Sequence, residues 1–250
     1  MALKLIAGNW KMNLTPEEGL AFLSALGNVS RQDVTVALFP SFVSLAPLRE
    51  AAGARNIRLG AQDVFWKPSG AFTGSVSAPM LAAVGVEYCI VGHSETRGRF
   101  GKLEIEASQL PYFSETNETC RLKMEALLAN GITPILCVGE TLAERESGAT
   151  EATIAKQLKE GLAGIDTSKV VVAYEPVWAI GTGNTCASDE AGRVCRFIRS
   201  EVPQVKAVLY GGSVKASNAA ELFAQDGIDG GLVGGASLVP DEFARIIESA

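Results

Sequence analysis

The chain has 250 residues, of which 47% are hydrophobic and 20% are charged. This composition supplies enough apolar material for a core and shows no sign of intrinsic disorder. The net charge is −6, and the lysines and arginines are scattered along the sequence, which argues against nucleic acid or an anionic membrane as a partner. The length suits either one large α/β barrel or two small domains.

Five cysteines are an odd number without a Cys-x-x-Cys spacing, which argues against a disulfide framework or a zinc site. They are Cys89, Cys120, Cys137, Cys186 and Cys195. The opening Met-Ala-Leu-Lys lacks the charged-then-apolar pattern of a signal peptide, and no apolar run approaches the ~18 residues of a membrane span. We therefore expect a soluble cytoplasmic protein with reduced thiols.

Short apolar runs recur along the chain and predict β-strands at 3–10, 34–39, 57–64, 88–92, 133–139, 170–177, 207–212 and 231–238. Several runs are almost continuously apolar, which favours parallel strands covered on both faces. Helix start signals lie between them, such as Thr-Pro-Glu-Glu at 15–18 and Ser-Asp-Glu at 188–190, where a hydroxyl can cap the helix. The alternation predicts one parallel sheet in an α/β fold, which eight units allow to close into a (β/α)₈ TIM barrel of a single domain. A doubly wound open sheet is the alternative on pattern alone.

Polar residues follow the first and fourth predicted strands. Asn9 and Lys11 alternate on a segment that we expect to be extended, so they would project the same way. His93 is the one histidine of the chain and precedes Ser94 and Glu95. Taken alone, Lys11 could be a surface lysine and His93 an ordinary hydrogen-bonded polar residue.

Glu175 ends the sixth apolar strand, where a carboxylate is costly unless it is paired or functional. The loop that follows has a proline at one end and glycines at the other, which is typical of a mobile lid. Its residues are Pro176, Val177, Trp178, Ala179, Ile180, Gly181, Thr182 and Gly183. A structural loop with a capping glutamate is the alternative.

Glycine pairs follow the last two predicted strands, in Gly211-Gly212-Ser213 and in Gly234-Gly235. Paired glycines let backbone N–H groups approach an anion, and the loops after strands 7 and 8 of such barrels often bind phosphate. Each pair alone could be a plain turn. Together they favour a phosphate site.

Six segments of the chain, in order, resemble the signature segments of the triosephosphate isomerase family: 8–13, 70–74, 92–95, 173–183, 210–214 and 234–238. The resemblance runs essentially end to end. It implies one (β/α)₈ barrel domain over residues 1–250 that interconverts dihydroxyacetone phosphate and D-glyceraldehyde 3-phosphate through an enediolate. It implies no metal and no organic cofactor.

The resemblance also implies roles for individual residues. Glu175 would remove and return the substrate proton, His93 would act as a neutral electrophile, and Lys11 would supply positive charge to the developing anion. Asn9 would help to place the substrate carbonyl, and Glu95 would orient the site beside Lys11. The phosphate would be held near Gly181, Ser213, Gly234 and Gly235, with the lid of residues 176–183 closing over it.

Three departures from the family pattern lie close together. Residues 96–111 look like an insertion of about a dozen residues after the fourth strand, in which 102–107 could form a short strand or begin a helical turn. Thr96 stands where the family usually has arginine, and Ser75 where it usually has glutamate. The family is homodimeric and docks the loop matching 65–78 into its neighbour, so we expect an altered interface: a weakened dimer, a monomer or a different contact.

Two other functions remain open at this point. Another phosphate-binding barrel, such as an isomerase or aldolase of sugar phosphates, would explain the phosphate loops but would not require Asn9, Lys11, His93 and Glu175 together. A non-catalytic or weakly active barrel would use the inserted segment as a binding or interface element. The survival of every catalytic residue type argues against that second alternative.

Overall fold

The computed structural model describes residues 3–28, 31–102 and 105–250. Within those ranges the strands form one closed barrel, and each pairs in parallel with its neighbours in chain order. The strands are β1 (Leu5–Asn9), β2 (Thr35–Phe39), β3 (Arg58–Ala61), β4 (Val86–Val91), β5 (Thr133–Val138), β6 (Val171–Tyr174), β7 (Ala207–Tyr210) and β8 (Gly230–Val233). The predicted (β/α)₈ fold is confirmed, and the alternative of an open sheet is wrong because β1 pairs with β8.

Helices surround the barrel: α1 (Pro16–Leu26), α2 (Phe42–Gly53), α3 (Ala78–Ala83), α4 (Asn117–Ala129), α5 (Leu142–Glu146), α6 (Thr150–Gly161), α7 (Ser188–Glu201), α8 (Ala216–Phe223) and α9 (Pro240–Glu248). Helix α1 starts as predicted, because Thr15 and Glu18 exchange side-chain and backbone hydrogen bonds. The predicted cap at Ser188 is wrong: Ala187 occupies the cap position of α7, and the Ser188 hydroxyl bonds to Glu221. None of the helices in the described ranges is both long enough and apolar enough to cross a bilayer.

Apolar residues fill two layers, which explains the continuous apolar runs. Along β6, Val171 and Ala173 pack inside the barrel, whereas Val172 and Tyr174 pack between the barrel and the helices. Successive side chains of a strand point to opposite faces, so a strand that is buried on both faces has no place for an exposed polar residue. The free positions lie at the strand ends, and the barrel places all eight carboxyl ends on one rim.

All eight predicted strands differ from the observed ones at one end or both, and the predicted strand 170–177 ends at Tyr174. The predicted strand 57–64 ends at Ala61, since the chain then turns and Gln62 bonds to loop carbonyls. The predicted strand 231–238 ends at Val233, and its apolar continuation forms a 3₁₀ turn at Gly235–Leu238. Strand β4 begins at Val86, two residues before the predicted start. Apolar residues that pack below a loop cannot be told from a strand by hydrophobicity alone.

The segment after β4 leaves the barrel and returns to its own starting point. Thr96 accepts a backbone hydrogen bond from Glu115 at 3.1 Å, and the rings of Phe100 and Phe113 pack edge to face at 5.5 Å. Between them the chain forms a 3₁₀ helix at Ala107–Tyr112. The sequence predicts either a short strand or a helical turn at 102–107. Residues 103 and 104 of this stretch lie outside the described residues. That 96–111 is an insertion remains a prediction.

A buried charged cluster joins the start of this segment to helix α4. The carboxylate of Glu115 accepts hydrogen bonds from the N–H of Gly92 at 3.1 Å and from the Thr96 hydroxyl at 2.5 Å. Lys123 lies 2.7 Å from Glu115 and 2.5 Å from Asp63, and the side chains of Glu115 and Lys123 are only 4% and 8% exposed. Burial raises the pKa of Glu115, but Lys123 and Thr96 outweigh it and hold that pKa below its ordinary value.

We expect Lys123→Met to lower the free energy of unfolding by ~3–5 kcal/mol, because it leaves the Glu115 carboxylate buried and unpaired. Arg121→Met on the same helix is the matched control: its pair with Glu125 is at the surface, and the loss should be below ~1 kcal/mol. Denaturant unfolding of both variants at neutral pH measures the difference. Since the pKa of Glu115 is lowered, the contribution is present above the ordinary glutamate value and lost as the pH falls below it. Equal losses for the two variants would contradict the prediction.

Candidate active site

A cavity of about 490 Å³ opens at the carboxyl ends of the strands. Its lining includes Asn9, Lys11 and His93 of the predicted catalytic set together with all four predicted phosphate-binding residues, Gly181, Ser213, Gly234 and Gly235. Glu95 instead lines a smaller cavity of about 230 Å³, which shares Asn9, Lys11 and His93 with the first. The barrel therefore gathers residues that are far apart in sequence, as predicted from their places after the strands.

Glu175 lies behind His93 rather than in the cavity wall. Its side chain is 2% exposed, and Oε1 is 3.0 Å from His93 Nε2. Oε2 accepts the backbone N–H of Ser94 at 2.9 Å, and Oε1 accepts the Ser94 hydroxyl at 3.2 Å. Burial raises the pKa of Glu175, but His93, the Ser94 N–H and Lys11 outweigh it, and the net pKa lies below the ordinary glutamate value. The carboxylate is therefore ionised at neutral pH and can accept a proton.

The backbone around Glu175 is fixed by the neighbouring strand ends. The N–H of Glu175 donates to the carbonyl of Val138 at 2.8 Å, and the N–H of Gly211 donates to the carbonyl of Tyr174 at 2.7 Å. Gly139 passes so close that a Cβ there would lie 1.7 Å from the Glu175 carbonyl oxygen. Glycine at 139 therefore allows the close approach that places Glu175.

The hydrogen bonds of His93 define which nitrogen carries the proton. Nδ1 accepts the backbone N–H of Glu95 at 3.2 Å, so a neutral ring carries its proton on Nε2, which faces Glu175. Burial lowers the pKa of His93, whereas the Glu175 carboxylate raises it, and the net direction is upward while the two are in contact.

Lys11 has a left-handed backbone with φ of 51°, which is costly for a residue with a side chain. Three hydrogen bonds hold Lys11 in this conformation. Its Nζ donates to Glu95 Oε1 at 2.7 Å, its N–H donates to Asn9 Oδ1 at 3.0 Å, and its carbonyl accepts a hydrogen bond from Gln62 Nε2 at 2.7 Å. The expectation of an extended segment from Asn9 to Lys11 is therefore wrong, because β1 ends at Asn9. Lys11 nevertheless lines the same cavity as Asn9.

The lid residues begin with Pro176 and a 3₁₀ turn at Val177–Ala179. Trp178 donates its ring N–H to Glu140 Oε1 at 2.8 Å, and Arg145 stacks on the Trp178 ring at 4.5 Å. The Ser213 hydroxyl reaches the carbonyl of Ala179 at 3.4 Å, which links the lid to the loop after β7. These contacts place the lid at the edge of the cavity, where Ile180 and Gly181 form part of the wall.

Sequence reasoning missed three residues that support this site. Glu140 is fully buried, anchors Trp178 and also accepts the Tyr174 hydroxyl at 3.1 Å. Gln62 props Lys11, and Ser94 holds Glu175. A signal existed for each, because all three are polar residues within three positions of a strand end, but nothing in the sequence says which partners they meet.

In the described part of the chain, no group of three or more His, Cys, Asp or Glu side chains is arranged to hold a metal ion. The polar groups at the cavity are instead a carboxylate, an imidazole, an ammonium group and amide donors. This set suits proton transfer next to a stabilised anion.

The sequence matches the family model of triosephosphate isomerase over residues 4–250. Similar proteins include the triosephosphate isomerase of Synechococcus sp. (strain JA-2-3B'a(2-13)), which is 49% identical over 251 residues and covers 97% of this chain and 95% of its own. The triosephosphate isomerase of Synechocystis sp. is 45% identical, with 97% of both chains covered. That of Acetivibrio thermocellus is 46% identical, with 98% of both chains covered.

We expect Glu175→Gln to lower the pKa of His93, because the substitution removes the carboxylate that raises it and leaves the burial that lowers it. The chain has one histidine, so the imidazole ¹⁵N and ring proton signals in a pH titration need no assignment by mutation. Glu17→Gln on the exposed face of α1 is the control and should leave the titration unchanged. An unchanged or raised pKa in Glu175→Gln would contradict the arrangement described.

Proposed function

The chain belongs to the triosephosphate isomerase family, and from that premise we propose how its residues interconvert dihydroxyacetone phosphate and D-glyceraldehyde 3-phosphate. The chain is a triose-phosphate isomerase, because relatives named triosephosphate isomerase are 45–49% identical to it over nearly its full length. This reaction is a step of glycolysis. The observation that carries the residue assignment is the ionised, buried Glu175 carboxylate in contact with His93 at the edge of the cavity.

Glu175 is the base that moves the proton. It leaves its hydrogen bonds with Ser94, takes a proton from the hydroxymethyl carbon of dihydroxyacetone phosphate, and returns it to the neighbouring carbon. The electron pair of the broken C–H bond moves through the new carbon–carbon double bond to the carbonyl oxygen and gives the enediolate. The hydroxyl proton then passes from one enediolate oxygen to the other, and return of the first proton to the neighbouring carbon yields the aldehyde. Burial supports this role, since a desolvated carboxylate is a stronger base toward carbon than a hydrated one.

His93 and Lys11 stabilise the negative charge that develops on the enediolate oxygens. The Nε2–H of a neutral His93 donates a hydrogen bond, and the Lys11 ammonium group, which lines the same cavity, supplies positive charge. Asn9 places the substrate carbonyl. Glu95 holds Lys11 Nζ at 2.7 Å and so keeps the ammonium group from turning to solvent.

The phosphate group binds where Gly181, Ser213, Gly234 and Gly235 line the same cavity. Backbone N–H groups next to glycines can approach an anion closely, and they add no net charge to the chain. The lid, residues 176–183, closes over the phosphate and excludes water while the enediolate exists.

Glu175→Gln should lower kcat by ~10²–10⁴-fold, because it removes the general base and keeps the size of the side chain. A coupled assay of glyceraldehyde 3-phosphate conversion measures this, with Glu17→Gln as the control at near wild-type rate. If the folded wild-type protein shows no conversion at any concentration, the isomerase assignment fails. If Glu175→Gln retains full activity, another base acts.

The two other functions are not favoured. Family membership over residues 4–250 leaves no ground for a different sugar-phosphate enzyme. A non-catalytic barrel would not need an ionised carboxylate held against the histidine beside a cavity of this size. We keep the cytoplasmic location as a proposal, supported by five buried cysteines that are all free.

We further propose that the chain forms a homodimer with an altered and weaker contact. The smaller cavity places Lys11 and Glu95 next to Met12 and Phe42, and Met12 is 96% exposed, so a partner chain there would cover both apolar surface and catalytic residues. The loop matching the family's docking loop is internally ordered, with Phe65 packed on Trp66 at 4.1 Å and on Phe72 at 4.6 Å.

Two substitutions support the weaker contact. Thr96 carries no charge, and its hydroxyl lies within hydrogen-bond distance of two acceptors in its own chain, the Glu115 carboxylate and the His93 carbonyl. Ser75 is exposed and likewise uncharged. A family pattern with arginine and glutamate at these positions would place opposite charges in the same network.

We expect the dimer to dissociate at submicromolar protein and the specific activity to fall with it. Sedimentation and the coupled assay over one dilution series test this together. Ser75→Glu/Thr96→Arg restores both charges and should shift dissociation to lower concentration, whereas Ser75→Glu alone, which adds an exposed charge without its partner, should not. A dimer that is fully retained at nanomolar protein in the wild type contradicts the proposal.

A further inference from the structure

The catalytic loop after β4 continues into a short tied segment, residues 97–101. The N–H of Arg97 donates to the carbonyl of His93 at 3.1 Å, and the N–H of Arg99 donates to the carbonyl of Ser94 at 2.8 Å. Both acceptors belong to the residues that position and contact Glu175. The 97–101 segment is therefore fixed directly to the catalytic loop.

Arg99 fixes the same segment to the end of β5. Its guanidinium donates to the carbonyl of Gly139 at 3.1 Å and pairs with Glu144, which also accepts the hydrogen bond that starts α5. Gly139 in turn abuts the Glu175 carbonyl. Two separate sets of hydrogen bonds thus hold the 97–101 segment, one to the loop after β4 and the other to the end of β5.

The far end of this segment lies against the lid. A Cβ at Gly101 would lie 2.4 Å from the carbonyl oxygens of Val177 and of Ile180, and 3.0 Å from the Thr182 methyl group. Contacts below 3.0 Å do not occur for real Cβ atoms, and these two are with backbone, which cannot rotate away. The φ of Gly101 lies outside the left-handed region, so space rather than backbone conformation calls for glycine here.

We propose that Gly101 is a positioning residue for the lid: the anchored 97–101 segment provides the surface on which the Val177 and Ile180 carbonyls rest. The inference rests on the proposed function for its catalytic consequence and goes beyond it in naming a residue outside the cavity. A side chain at 101 displaces the lid between Val177 and Thr182, a stretch that contains the 3₁₀ turn at Val177–Ala179.

The displacement has a chemical readout. When the lid does not cover the enediolate phosphate, the electron pair of the enediolate expels the phosphate by cleavage of the carbon–oxygen bond, which yields inorganic phosphate and an enol that becomes methylglyoxal. Isomerisation releases no inorganic phosphate. After subtraction of the phosphate released without enzyme, the ratio of phosphate released to isomer formed therefore reports lid placement and does not depend on how much of the sample is folded.

The experiment compares Gly101→Ala with Gly53→Ala in the full chain. Gly53 ends α2, and a Cβ there meets nothing within 4 Å, which makes it the matched control. We expect Gly101→Ala to lower kcat by about tenfold to a hundredfold, the cost of a displacement near 1 Å, and to raise the phosphate-to-isomer ratio severalfold. Gly53→Ala should match the wild type. A wild-type ratio in Gly101→Ala overturns the proposal, whatever happens to kcat.

A second measurement does not depend on activity. The amides of Ala179 and Ile180 donate to the carbonyls of Pro176 and Val177 at 2.8 and 3.1 Å. Their hydrogen exchange should be faster in Gly101→Ala than in the wild type and in Gly53→Ala, and Arg99→Met, which releases the anchor without adding bulk, should show a smaller increase. Unchanged exchange in both variants overturns the positioning role. If the wild type shows no isomerisation, the proposed function fails. The hydrogen-exchange comparison still tests whether Gly101 positions the lid.

Discussion

A carboxylate with 2% of its side chain exposed must be stabilised by its surroundings or lose its charge, and Glu175 is such a carboxylate. Its partners come from the loop after β4, where the Ser94 N–H and hydroxyl and the His93 imidazole converge on the two oxygens. Its backbone is held by Val138 on β5 and through Tyr174 by β7. Most of the rim is therefore arranged around one charge, and the barrel's closed register supplies the rigidity that this requires.

The contacts that stabilise the Glu175 carboxylate are hydrogen bonds that can be exchanged during the reaction. Each partner of Glu175 donates a hydrogen bond that water or substrate groups can replace, and no lysine or arginine forms a direct pair with it in the described ranges. Lys11 instead pairs with Glu95. A direct ion pair would have made Glu175 more stable as an anion and weaker as a base.

The architecture was predictable because strands that are buried on both faces leave an unbroken apolar signature, as in Val171–Tyr174. The residues at strand ends were predictable for the same reason, since Glu175 and His93 interrupt that signature abruptly. What could not be predicted was contact across the rim. Gln62 and Glu140 lie beside strands like many other polar residues, and only the closed barrel brings Gln62 under Lys11 and Glu140 under Trp178. Nor does a sequence reveal a left-handed lysine, because two tertiary hydrogen bonds, to Glu95 and Gln62, together with a local one to Asn9, override the local preference of Lys11.

The joined ends of the segment after β4 carry a consequence for the evolution and engineering of the chain. Phe100 contacts Phe113 and the Glu115 N–H bonds to Thr96, so the two ends of the segment lie side by side. Lengthening such a segment costs only about 0.6 kcal/mol per doubling by loop entropy. It is thus a grafting point, and one that begins beside the lid: a binding module inserted there would be mechanically connected to the lid through the backbone at Gly101.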